Sequence, residues 1–313
     1  MRVLAFVTKK SFLIGLCGVV LIVIVAGVLS TSIRASREAE LRAKATAVAE
    51  KYRNDIKEFV STRLKDAIIE GEEADLNIVV QDTAKRPPPP PSIDAGFSPE
   101  QRLAMKTPYP LPAAESLKKV SQLTLPTLER VDESVVDLGP SYREVVDMSK
   151  DAEKMYQDTI LLYTTRNSYQ ELENNISAFR NEMWDIDEKY KVTNIETAKL
   201  YFAARLSVFE KYYKEIVNDE TKKYIKSSDM GVFERQMPIG IEAIKNIQKL
   251  LNSGVTGDAY DKQYERQRGS YLEVASMSMA ISFSRFSAKR SAVSIVNSFS
   301  KRHFPDDPSL LKW

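Results

Sequence analysis

Few residues in this chain have the chemistry for catalysis. There is one histidine, His303, and one cysteine, Cys17. His303 stands beside Phe304 and Pro305, just past the last helical pattern, where it is expected to be solvated or to cap a helix C-terminus. Cys17 lies inside an apolar run and is no soluble nucleophile. Neither an internal disulfide nor a Cys/His zinc set can be assembled from one of each, and a Glu-x-x-His di-iron bundle would need a second histidine. No Gly-rich phosphate loop is present, and "GVTGD" (254–258) reads as a turn before a helix. Carboxylates cluster in "MWDIDEKY", where Asp185 and Glu188 share a helix face as an acid–base or cation-binding pair would. On a charged helix the same pattern is the ordinary solvated side. The chain is therefore read as non-enzymatic, with no catalytic residue, metal ligand or cofactor assigned.

Two other residue sets suit binding. Tyr201, Tyr212, Tyr213, Tyr260 and Tyr264 form a candidate aromatic interface, because tyrosine tolerates one wet and one dry end. Half-buried core tyrosines would give the same pattern. The second set lies in "EVASMSMAISFSRFSAKRSAVSIVNSFSKRHF", which has no acid between Glu273 and Asp306 but carries Arg285, Lys289, Arg290, Lys301 and Arg302. These residues are a candidate interaction surface for anionic lipid, polyanion or an acidic partner. A core helix with a basic outer face is the plainer reading, supported by the stripe Val274, Met277, Ile281, Ala288, Ala292, Ile295 and Phe299.

The elements that must position these residues begin with a membrane anchor. Phe12 to Leu29 is 18 residues without a charge, enough to cross ~30 Å of hydrocarbon as a helix. The expected divisions are a tail over 1–11, a transmembrane anchor over 12–33 and a juxtamembrane stalk helix over 34–70. A Pro-rich linker over 71–112, a helical bundle over 113–303 and a C-terminal tail over 304–313 follow. In the stalk, Leu41, Ala45, Val48, Tyr52, Ile56 and Phe59 recur at helical spacing, either as the coiled-coil seam of a homo-oligomer or as a face docked on the distal domain. Ten of the 14 prolines fall between Pro87 and Pro126, as in a polyproline II spacer holding the bundle away from the bilayer. "LNIVV" (76–80) suits a strand or packed coil.

Beyond Pro112 the pattern is helical. Ser141-x-x-Glu144, Ser168-x-x-Glu171 and Thr193-x-x-Glu196 have the form of capping boxes, and Pro126 and Pro140 suit helix first turns. A helix is expected from Pro238 to Leu251 and a long one from Asp258 to Lys301. The predicted fold class is all-α: one transmembrane helix, a stalk, a linker, then a bundle of about five or six helices.

The charge balance is 45 Lys+Arg against 43 Asp+Glu, and 42 against 43 once Arg2, Lys9 and Lys10 are set aside. A near-neutral body argues against a nucleic-acid partner. The function expected is a single-pass, membrane-anchored interaction or scaffold module that presents its bundle to a protein partner in the cell envelope. The basic residues Lys9 and Lys10 on a short N-terminal tail favour placing the bundle outside the cytoplasm. A membrane-tethered ligand-binding or sensory domain is one alternative. A cytoplasm-facing tether binding anionic lipid or nucleic acid through the final helix is another.

Overall fold

The computed structural model describes residues 2–88, 98–134, 136–255, 257–275 and 288–311; within these, the side chains of 2–29, 228, 229, 232, 270–275, 288, 289 and 311 are outside the description. All described elements are helical, with no strand among the described residues. They are α1 (Arg2–Glu58), a π-turn (Phe59–Leu64), α2 (Lys65–Lys85), α3 (Pro99–Lys106), α4 (Ala114–Ser121), α5 (Pro140–Lys189), α6 (Ile195–Ile216), α7 (Asp219–Tyr224), α8 (Ser227–Asn252), α9 (Asp258–Ala275), α10 (Ala288–His303) and a 3₁₀ turn (Pro308–Leu311). Among the described residues no helix is long and apolar enough to cross a membrane. The apolar run Phe12–Leu29 falls in the part of α1 whose side chains lie outside the description.

The helix expected to end near residue 70 continues to Lys85, and "LNIVV" is helical rather than a strand or coil. Ile56, Val60, Leu64 and Ile68 are fully buried and step by four. The wider pitch of the π-turn keeps them in line as α1 passes into α2. Gly71 is a contact residue, not a break. A Cβ there would lie 2.5 Å from the Ser116 Cα, so its missing side chain lets α4 cross α2 backbone to backbone. Asp75, one turn on, supplies the cap that α4 lacks. Its carboxylate accepts from the backbone N–H of Glu115 (2.9 Å) and Ser116 (3.0 Å) and from the Ser116 hydroxyl (2.6 Å), while the N-cap residue Ala113 has no side-chain acceptor.

The stripe of α1 is buried inside the same chain. Ala45, Tyr52, Ile56 and Phe59 belong to one core with Tyr142–Tyr163 of α5, with Ala292, Val296 and Phe299 of α10, and with Phe304 and Leu310. Docking on the distal part of the chain is the packing this stripe makes here. Residues 304–310 of the expected C-terminal tail are likewise packed on the chain, since Leu310 is buried and Lys57 pairs with Asp307 at 2.5 Å.

The spine is α5, 50 residues and about 75 Å long. It runs parallel to α1–α2, with Arg53 on Glu144 (2.9 Å) and Glu72 near Arg166 (3.9 Å). The chain between them returns antiparallel along α5. Lys106 meets Asp185, Tyr109 meets Asn174, Ala113 meets Asn167, and Val131 meets Tyr142. The Pro-rich stretch therefore sits at the α2–α3 connection rather than between apolar run and bundle. Arg86 closes its base by donating to the carbonyls of Ala104 (2.8 Å), Thr107 (3.2 Å) and Pro108 (3.1 Å); residues 89–97 lie outside the described residues. The far half of α5 holds a second core, with Leu172, Ile176 and Phe179 packed against α6 and α8.

Several expected helix starts shift. Gly139, at φ 92°, precedes Pro140 as the α5 N-cap, so Ser141 is not a cap, and Ser168 lies mid-helix, donating to the Thr164 carbonyl. Asn194, one residue after Thr193, forms the capping box of α6 with Thr197. Pro238 lies inside α8, which starts eleven residues earlier at Ser227. Pro126 stands in irregular chain. The expected helix over 258–301 is described as α9 and α10, with 276–287 outside the described residues.

Candidate functional site

The tyrosines named from the sequence gather in the second core. Tyr212 is buried, its hydroxyl donating to Glu182 at 2.6 Å, and burial pushes that hydroxyl up to about 12. Tyr201 donates to Asp187 at 2.9 Å and lies under the Arg205 guanidinium. Burial lifts it to about 12 as well. Tyr260 and Tyr264 stack at 5.7 Å, and Tyr213 is half-buried against the same core cluster. The arrangement is that of core tyrosines, Tyr212 buried and the others half-buried.

The basic set is not brought together as one described patch. Arg285 and Lys289 fall where side chains are not described, Arg290 and Lys301 are exposed, and Arg302 pairs with Asp151 at 2.8 Å. His303 shares that carboxylate at 2.8 Å and packs on Phe299, so it is a docking residue of α10 rather than a solvated side chain. Asp185 and Glu188 are taken by α3: Lys106 reaches Asp185 at 2.7 Å, and Arg102 pairs with Glu188 while lying over Trp184. That makes them a strap for α3, and exposed pairs of this kind contribute ~1 kcal/mol or less.

A concave feature lies elsewhere, in the first core. A groove of about 1030 Å³ runs between α5, Tyr52 of α1 and the segment 125–133. Two tyrosines pin that segment. The Tyr156 hydroxyl donates toward the carbonyls of Leu123 (2.7 Å) and Val120 (2.9 Å). The Tyr142 hydroxyl accepts from the Val131 N–H (2.8 Å) and donates to the Glu129 carbonyl (3.3 Å). Residues 142 and 156 stand about 21 Å apart along α5 at helical rise. The nine residues from Leu123 to Val131 thus make eight steps of roughly 2.6 Å each, between the rise of a helix and that of a strand. Leu123, Leu125 and Leu128 seat the segment on the core. No backbone N–H or C=O of Leu125, Thr127, Leu128 or Arg130 makes a hydrogen bond among the described residues.

Tyr52 forms part of the groove wall. The residue is 3 % exposed, and its hydroxyl, which is not one of the buried unpartnered polar atoms, makes no hydrogen bond to the described residues. Burial, reinforced by the Glu153 carboxylate, pushes that hydroxyl up to about 12, so it is a neutral donor at any physiological pH. At the rim, Arg130, Glu133 and Glu153 are exposed and without an ion pair among the described residues, whereas Lys150 pairs with Asp147 at 3.1 Å.

Compared with known proteins, the chain matches no family model, no curated protein and no solved structure. The site therefore stands on its own geometry. Sequence reasoning placed Tyr52 on a packing stripe and Tyr142 next to a false cap, and it missed the groove. One signal was present: "LTLPTL" (123–128) alternates apolar and polar around a proline, the pattern of an edge strand.

Proposed function

We propose that this protein is a single-pass, membrane-anchored, non-enzymatic interaction module that presents its helical bundle to a protein partner in the cell envelope. The observation that carries the proposal is the continuity of α1. The uncharged run Phe12–Leu29 lies on the same unbroken helix as Ala45, the first residue of the bundle core. Sixteen residues at helical rise put that core about 24 Å from the end of the run. A bundle built onto its own anchor helix has a set position and orientation with respect to the bilayer, as a scaffold needs. The single histidine and single cysteine support the non-enzymatic part. Lys9 and Lys10, just before the uncharged run, support a bundle outside the cytoplasm.

Carbonate extraction of membranes tests the anchor. The full chain should stay in the pellet and a chain lacking residues 1–29 should be released; release of the full chain would overturn the anchor. A cysteine placed at the exposed Ser253 then reports the side. It should react with an impermeant maleimide in intact cells, and reaction only after lysis would put the bundle in the cytoplasm.

A further inference from the structure

We propose that α3 is a strap that lifts: a short helix held on the far half of α5 by charge, which swings away while the rest of the bundle stays folded. The proposal goes beyond the interaction-module reading. Carbonate extraction tests the anchor and the exchange experiment below tests the strap, so either can fail alone.

Three features carry it. The first is burial. None of the eight residues of α3 is buried, and Leu103 is 68 % exposed. A helix docked without a buried side chain has little hydrophobic hold. Eight residues are also too few for a stable helix in water, so α3 unwinds once it lifts. The second feature is the kind of contact. Arg102 pairs with Glu188 and lies over Trp184, Lys106 pairs with Asp185 at 2.7 Å, and the Asn181 amide donates to the Met105 carbonyl at 2.8 Å. Toward the end of α2, Arg86 donates to the Ala104 carbonyl at 2.8 Å and Gln101 to the Pro88 carbonyl at 2.5 Å. All four side chains of the two ion pairs are 40–52 % exposed, so salt screens them. Lifting opens the hydrogen-bonding groups to water, which takes up the bonds they give up. The third feature is a fixed hinge. Just past α3, Tyr109 exchanges two hydrogen bonds with Asn174, at 2.9 and 2.8 Å. Arg86 holds the Thr107 and Pro108 carbonyls and lies over the Tyr109 ring. Motion of α3 therefore ends at Thr107 and does not reach α4. A cavity of about 70 Å³ already lies between α3 and α5, and lifting uncovers its α5 wall: Asn181, Trp184, Asp185 and Glu188.

Amide hydrogen exchange on the full chain in detergent micelles, at about 50 mM and about 1 M NaCl, tests the strap. At low salt the amides of Arg102–Lys106 should be protected, but at least about 100-fold less than those of Leu172–Phe179 in α5. High salt should lower the α3 protection a further 5- to 25-fold or so, at up to about fivefold per pair, and leave the α5 amides unchanged. Arg102→Gln with Lys106→Gln should bring the low-salt protection to the high-salt level and move the melting temperature by no more than about 2 °C. Exchanging the charges, with Arg102→Glu and Lys106→Glu against Asp185→Lys and Glu188→Lys, should restore it. In a Trp313→Phe background, acrylamide quenching of Trp184 should rise with salt in step with the exchange. Equal protection in α3 and α5 would overturn the proposal, because α3 would then open only with the whole bundle. Protection of α3 that ignores salt would overturn it too, whatever the variants do. So would exchange that rises with salt while the quenching of Trp184 does not, which would mean a helix fraying in place.

Discussion

Replacing Gly71 by alanine tests how the first core is built, because local and tertiary effects have opposite signs there. As an exposed helical residue, alanine would stabilise α2 by about 0.5–1 kcal/mol over glycine. The added Cβ would, however, stand 2.5 Å from the Ser116 Cα and 3.0 Å from the Ser116 nitrogen. Carbon atoms settle at about 3.5–4.0 Å, so α4 would have to retreat by 1 Å or more. Backbone cannot rotate aside as a side chain does. Overpacking of this kind costs about 1–3 kcal/mol. The retreat would also stretch the three bonds from α4 to the Asp75 carboxylate, now 2.6–3.0 Å, past useful length. Stranding a carboxylate that is 3 % exposed adds about 1–3 kcal/mol. The net expectation is a loss of about 3 kcal/mol, or roughly 6–12 °C in Tm for a chain of this size. Thermal melting followed by circular dichroism reads it. Gly269→Ala is the control: nothing lies within 4 Å of its added Cβ, so it should melt at or slightly above wild type. Asp75→Ala in the Gly71→Ala background should cost much less than in wild type, since the first change has already broken the caps. A Gly71→Ala protein that melts with wild type or above it would refute the close approach of α2 and α4.

The remaining predictions concern pins and protons. Tyr156→Phe removes the hydroxyl that holds the Leu123 and Val120 carbonyls; it should cost about 1 kcal/mol in denaturant titration and raise amide exchange in 123–131. Burial raises the Glu173 carboxyl above its ordinary 4.5, so its ionisation opposes folding. Glu173→Gln should therefore melt higher than wild type at neutral pH and converge with it below about pH 4. Asp307 has the opposite sign. Its hydrogen bonds to Lys57 and Ser309 hold it below its ordinary 3.8, so its contribution is full at neutral pH and is lost as pH falls through the lowered value. Asp307→Asn should melt below wild type at pH 7 and with it near pH 2; a gap that persists at pH 2 would mean the pair with Lys57 is not its source.

The helical content of this chain was legible because a 3.6-residue period is local. Leu41 to Phe59 and Leu172 to Tyr190 carry it openly, and the core takes up these stripes much as the spacing implies. Helix ends were less legible, because caps compete over one or two residues. Asn194 displaced Thr193, and the Gly139–Pro140 start of α5 left Ser141 inside the helix. The groove was not legible at all. It needs Tyr142 and Tyr156 of α5 to hold a segment up to 36 residues earlier in the chain.

By itself the sequence determined that the chain is helical, that it carries an uncharged run long enough for a bilayer, and that it has too few histidines and cysteines for most site chemistry. Those properties follow from composition and from spacing within a few residues. The tertiary structure alone decided what each stripe touches. Proline and glycine were read as marks of a linker because both weaken a helix locally. In the folded chain Gly71 is kept by the Ser116 backbone 45 positions away, and Asp75 by the helix start it caps 41 positions on. A helix tolerates the local cost of about 1 kcal/mol when a distant contact more than offsets it, and no local pattern reports such a contact.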